Sequence, residues 1–203
     1  KISTMLNNRK ILCSLFCAIL LETIGCYGFL YEEYYWEDYE GLIPKNALIG
    51  GKDANGNPIY IGQAYYYSKL LPAKIYQNDQ NAYIAWGSEI KVDKHIKILC
   101  TPHPERFKWI KTKHNEIHKL TNHKVVKGGW EPSYDLYIGR AFHNSETLVG
   151  RIRVYGPPNS NYGLYITSKG KEVIVKEFEI LTFVPNRNST EVRYCNKRVV
   201  VVK

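Results

Sequence analysis

Two acids and two bases recur in this chain in the same order. Asp53 follows the glycine pair Gly50-Gly51 and precedes Lys74, while Glu131 follows Gly128-Gly129 and precedes Arg151 at nearly the same spacing. A carboxylate accepts hydrogen bonds from hydroxyl groups and an ammonium or guanidinium donates to them, and charge strengthens both. An acid and a base held together can therefore grip vicinal hydroxyls, as on a pyranose ring. Each such bond nets about 1–3 kcal/mol, so a single site binds weakly and useful affinity needs two. Trp130, beside Glu131, offers a stacking face, or alternatively packs into the core or staples a turn. Asp53 has its own alternative, an Asx turn that holds its loop, and Lys74 that of a solvated lysine.

The stretch that must position the first pair runs from Gly41 to Lys74. GGKDANGNP is rich in glycine, asparagine and proline and must turn, whereas the following IYIGQAYYY is β-branched and aromatic. A second turn is expected at Leu71-Pro72-Ala73. Asp53 then sits at a loop tip and Lys74 just past the next hairpin, on neighbouring loops. The stretch returns downstream. Tyr137-Ile138-Gly139-Arg140-Ala141 restates Tyr60-Ile61-Gly62-Gln63-Ala64, and Leu148-Val149-Gly150-Arg151-Ile152 restates Leu71-Pro72-Ala73-Lys74-Ile75, both 77 positions on. Glu89 answers Glu172, Ile98-Leu99 answers Ile180-Leu181, and Trp36 answers Trp109. The chain is a tandem duplication.

Strand chemistry dominates. NPIYIGQAYYY, NAYIAWGSEIKV, HIKILCT, DLYIGRAF, LVGRIRVYG, YGLYITS, KEVIVKEFEILTF and KRVVVVK are rich in β-branched and aromatic residues, and no window keeps an apolar stripe at helical period. This predicts an all-β protein, sandwich- or barrel-like, with the polar stretch Lys111 to Lys124 as a loop. At the beginning, Arg9 and Lys10 precede the apolar run Ile11 to Leu21, and small residues follow at Cys26 and Gly28. That order is expected of a signal peptide over residues 1–28, with translation starting at Met5, and hence of a secreted protein. The run is short for a bilayer span. Of the five cysteines, Cys100 and Cys195 remain after such a cut. In a secreted chain a disulfide between them is expected over two free thiols, and a loop of that length stabilises by about 4–5 kcal/mol. Asn188-Ser189-Thr190 is an N-glycosylation acceptor, at Asn188.

The formal charge is +9 over 203 residues, unevenly spread: YEEYYWEDYE (31–40) is acidic and the connector from Lys91 to Lys127 basic. Mutual pairing of these ends is the first expectation, and a basic surface for anionic glycans or membranes the second. Nucleic acid is not expected as a partner of a secreted chain without a recognised nucleic-acid module. Five of the six histidines crowd the connector, but His114, His118 and His123 lie in a polar stretch with no sign of a rigid second shell, so no metal and no other cofactor is expected. GGKDANG lacks the strand–loop–helix context of a phosphate loop, and no serine elbow or zinc-protease motif occurs. The chain does not read as an enzyme.

IPKNALIGGKDANGNPIYIG, followed by PAKI and a later GSE, resembles the DM-nine repeat, and a looser, ordered version covers Trp109 to Leu181. The resemblance implies two tandem, intertwined β repeats related by an approximate two-fold axis: residues 29–100, then 101–183, followed by a C-terminal tail strand over 184–203. It also implies a mannose-binding lectin of innate immunity. By the same resemblance the sugar would meet Asp53 and Lys74 in the first repeat and Glu131 and Arg151 in the second. Glu146 fills a common acidic position five before the base, where the first repeat has Lys69. Partners implied are mannose-type glycans, with a homodimer as the assembly. The alternative is a secreted salivary or matrix interaction protein with decayed sugar pockets, binding proteins or anionic surfaces.

Overall fold

The computed structural model describes residues 33–154, 163–185, 191–195 and 198–202. The expected signal peptide and Asn188 lie outside these. The first half supplies β1 (Tyr35–Asp38), β2 (Ile49–Lys52), β3 (Pro58–Tyr65), β4 (Leu70–Tyr76), β5 (Ala82–Ala85), β6 (Glu89–Val92) and β7 (Ile96–Cys100). The second supplies β8 (Phe107–Lys113), β9 (Lys124–Val125), β10 (Lys127–Glu131), β11 (Tyr134–His143), β12 (Glu146–Arg153), β13 (Gly163–Ser168), β14 (Lys171–Val175) and β15 (Glu177–Phe183). Near the C-terminus β16 (Glu191–Cys195) and β17 (Arg198–Val202) form an antiparallel hairpin, two strands where one was expected. The protein is all-β.

The pairings close on themselves. β2 pairs β3, β3 pairs β4, β4 pairs β10, β10 pairs β11, β11 pairs β12, and β12 pairs β2. Each half thus contributes three strands to one antiparallel ring, which leaves no open edge within it. Wings extend from the ring in matching fashion. β7 and β1 continue outward from β3 as β15 and β8 do from β11, and β5 and β6 continue from β4 as β13 and β14 do from β12. The two halves are intertwined copies of one β unit.

The glycine pairs explain how the copies interlock. A β-bulge sits at each pair, and there the strand crosses a hairpin strand of the other half: Lys52 lies opposite Thr147, and Trp130 opposite Leu70. A Cβ on Gly51 would stand 1.8 Å from the Thr147 carbonyl oxygen, and one on Gly129 would stand 2.0 Å from that of Leu70. Only glycine lets the two backbones approach so closely. Apolar residues of both halves fill the interior, among them Ile59, Ile61, Ile138, Leu148, Ile152 and Leu164, all fully buried.

Several sequence expectations change here. Leu71-Pro72-Ala73 is not a turn but the middle of β4, with Pro72 opposite Gln63. The turn lies earlier, where Tyr66 and Lys69 exchange backbone hydrogen bonds and Tyr67 and Ser68 take φ of 41° and 57°. Positive φ at both central residues is the hairpin geometry that matches strand twist, usually signalled by Asn-Gly. Asn144 and Ser145 make the corresponding turn between β11 and β12. Lys111 to Lys124 is not one loop: it begins within β8, and Ile117 is buried in a short 3-10 turn. Cys100 stands as a free thiol, and the side chain of Cys195, its expected partner, lies outside the described residues. Cys100 is fully buried at the end of β7 between β1 and Ala47, and burial, with Glu37 nearby, pushes its pKa up to about 12.

Candidate functional site

Lys74 lies in the interior of β4 because the true hairpin precedes it, and it is 2% exposed, one of the largest fully buried side chains. Its ammonium does not meet Asp53. It ion-pairs with Glu89 at 2.9 Å and donates to the Thr167 carbonyl oxygen at 2.9 Å, above the rings of Tyr76 and Tyr83. A buried ammonium survives only when paired and hydrogen-bonded, and Glu89 and Thr167 meet that demand. Glu89 is the partly accessible member, 20% exposed. Burial works to raise its pKa, but the nearby Thr167 hydroxyl and the hydrogen bond and charge of Lys74 hold it below the ordinary carboxylate value.

Asp53 takes the other role open to it. On the tight β2–β3 turn its carboxylate accepts hydrogen bonds from the backbone N–H groups of Asn55 and Asn57 and from the Asn57 amide, at 2.7–2.9 Å. The Asn57 side-chain bond leads in holding its pKa down; desolvation opposes it, and backbone bonds from Asn57, Asn55 and Gly56 add to the lowering. Its charge still reaches the Lys74 cluster. Burial raises the Tyr76 hydroxyl pKa first, and the charges of Glu146, Glu89, Asp53 and Asp79 raise it further. Glu146, on a hairpin whose strand meets β2 at Thr147–Lys52, thus acts on the first-repeat cluster. Tyr83 donates to Asp79 at 2.7 Å, and burial followed by that bond carries its pKa up to about 12.

In the second repeat the expected acid and base do meet. Arg151, 5% exposed in β12, donates to Glu131 at 3.2 Å, to Glu172 at 3.5 Å, and to the Ala85 carbonyl oxygen at 2.9 Å. Its guanidinium stacks on Tyr165 at 4.0 Å and on Trp86 at 5.1 Å. Burial pulls its pKa below the ordinary arginine value, opposed by Glu131 and Glu172. Lys69 lies over the same Trp86 ring at 4.7 Å, and Arg153 approaches Glu131 at 3.8 Å. Trp130 is 39% exposed and, with Glu131, Ser133 and Tyr134, lines an open depression of about 540 Å³.

The two clusters are related as the repeats are. Tyr83 lies directly opposite Lys74 across the strands as Tyr165 lies opposite Arg151. Two residues beyond each tyrosine is the carbonyl that the other half's cation binds: Arg151 takes Ala85 and Lys74 takes Thr167. Glu89 and Glu172 are likewise matched. The N–H of Gly170 bonds the Glu89 carboxylate, and that of Gly87 bonds Glu172 at 3.2 Å. Each site is thus completed by the opposite repeat. Sequence reasoning aligned Glu89 with Glu172 without assigning either to a site, and it gave Trp86 and Tyr165 no role. Their signal was present as repeated positions, but their partners lie in the other copy.

The DM9 repeat profile matches residues 23–92 and, overlapping, 53–155. The chain belongs to the DM9 repeat family. The matched stretches carry Asp53, Lys74, Glu89, Glu131 and Arg151, whereas Tyr165, Thr167 and Glu172 lie beyond them. None of the curated protein sequences matches it. Among solved structures it is similar to the nematode sperm cell motility protein MFP2B, at 13% identity and a TM-score of 0.47. That likeness covers 75% of the DM9 chain and 46% of the other, so the chain spans about half the length of that relative. A separate cleft of about 500 Å³ runs beside Arg140, Phe142 and Glu179 and touches neither DM9 cluster.

Proposed function

We propose that this is a secreted carbohydrate-binding protein that takes mannose-type sugars at the two clusters without turning them over. The observation that supports the reading is their repetition. A carboxylate is held in place by a buried cation and by an N–H from the opposite repeat, beside aromatic rings, at both Glu89 and Glu172. A fixed carboxylate with a free lone pair accepts sugar hydroxyls without an ordering cost, and the neighbouring rings offer faces to C–H groups. In the first site the buried Lys74 ammonium donates to Thr167 and pairs with Glu89, which fixes the partly accessible Glu89 carboxylate in place. Two weak sites on one rigid scaffold gain by engaging a multivalent glycan together.

The experiment is retention on a mannan matrix, using protein collected from the medium of a secretory host. Recovery there, lacking residues 1–28, is expected. Glu89→Gln keeps size and removes charge, and it should weaken retention about 10- to 150-fold, as the loss of one charged hydrogen bond of about 1.5–3 kcal/mol implies. Glu172→Gln should weaken it as well, and the two together should abolish it. A parent protein that stays in the cells, or that passes through mannan unretarded, contradicts the corresponding half of the reading. In that second case the saturated Lys74 and Arg151 are struts, and the protein serves as an interaction module.

A further inference from the structure

The two sites share a frame, but two of their matched positions carry different charge. Seventy-seven positions separate Tyr76 from Arg153 and Lys69 from Glu146, the same offset as Lys74 from Arg151. The hairpin residue of each pair crosses to the opposite site. Glu146 therefore adds its negative charge around Tyr76, where Asp53, Asp79 and Glu89 already act, with Lys74 paired to Glu89 and Lys91 acting on Asp79 in opposition. Lys69 instead places an ammonium over Trp86, whose ring also carries Arg151, and Arg153 adds a guanidinium beside Glu131. The first site is acidic. The second sets Lys69, Arg151 and Arg153 against Glu131 and Glu172 and is basic.

From this charge reversal at matched positions we infer that the sites sort sugars by charge. The Arg151 site takes a sugar bearing a carboxylate or sulfate group against Lys69, and the Lys74 site takes a neutral one. The assignment rests on the clusters being sugar sites. Lys69 is the specificity-determining residue: it is half-buried, its ammonium bonds only the Tyr67 carbonyl oxygen and the Trp86 ring among the described residues, and it stands at the rim where a substituent would project. A half-buried ammonium such as that of Lys69, with no carboxylate partner among the described residues, attracts an anionic group, and the four acids around Tyr76 repel it. Trp86 stands at the second site, where the first has Ser168, so its indole reports on the second alone.

The test is titration of the isotope-labelled full chain with methyl mannoside, methyl glucuronide and a methyl glucoside 6-sulfate, following the Trp86 indole N–H for the second site and the Tyr83 ring signals for the first. The glucuronide or the sulfate should move that signal at lower concentration than the mannoside, and which of the two acts names the anionic group. Lys69→Glu should weaken the anionic response about tenfold, as expected for reversing one half-exposed charge at contact distance, and leave the mannoside response of the first site in place. Lys69→Gln should fall between. If the mannoside binds but neither anionic glycoside moves Trp86 preferentially, the charge assignment is wrong and the sugar-site reading stands. If no glycoside perturbs either cluster, both are wrong.

Discussion

The Lys74 and Arg151 clusters are one design executed with two cations. Lysine offers a point charge with three donors, and at the first site it meets one carboxylate and one carbonyl. Arginine offers a planar fork, and at the second it holds two carboxylates and a carbonyl while stacking between two aromatic rings. The exchange tracks the acids around it. Where the loop acid is Glu131, the longer side chain reaches the cation; where it is Asp53, the carboxylate folds back onto Asn55 and Asn57 and serves its own turn. A duplicated site can thus keep its backbone frame and diverge in charge by changing few residues.

The largest effect that would sharpen this comparison is on stability. Arg151→Ala leaves the buried Glu131 and the half-buried Glu172 without the cation they share, which should cost about 3–5 kcal/mol. Lys74→Ala strands one carboxylate and should cost less, about 3 kcal/mol. Urea denaturation of the two variants reads the difference, and equal losses would mean the clusters are not held as differently as their contacts indicate.

Much of this architecture was legible from residue types. Every segment with strand chemistry became a strand, and the duplication showed in the returning glycine pairs. What was missed has local causes. Leu71-Pro72-Ala73 looked like a turn because proline usually marks one, yet Tyr67-Ser68 makes the turn instead, with φ values that neither residue advertises. That shift carried Lys74 from an expected loop into a buried strand. The sites themselves were half legible. Asp53, Lys74, Glu131 and Arg151 all lie at or near them, but which acid faces which base depends on strands crossing between repeats. Such long-range pairing leaves no mark in either repeat alone, and so Glu146 was placed with the base five residues on, and Lys69 was given no site, although their hairpins cross to the other half.

A smaller effect separates the sites by pH. The Glu89 pKa is lower in the folded protein than its ordinary 4.5. Its contribution to stability is therefore complete above that value and is lost as pH falls through the depressed folded value. Thermal melts stepped downward from pH 5 should show the parent losing stability in that window more steeply than Glu89→Gln. Parallel curves would mean that Lys74 does not hold Glu89 as an ion pair.

The most direct test of the central claim is a crystal of the full chain soaked in mannose and refined to a resolution that places hydroxyls. The account predicts a sugar at each cluster, with hydroxyl groups on the Glu89 and Glu172 carboxylates and its ring against Tyr83 at the first and Trp86 at the second. A sugar bound only in the cleft beside Arg140 and Phe142, or bound at neither carboxylate under saturating conditions, would contradict it.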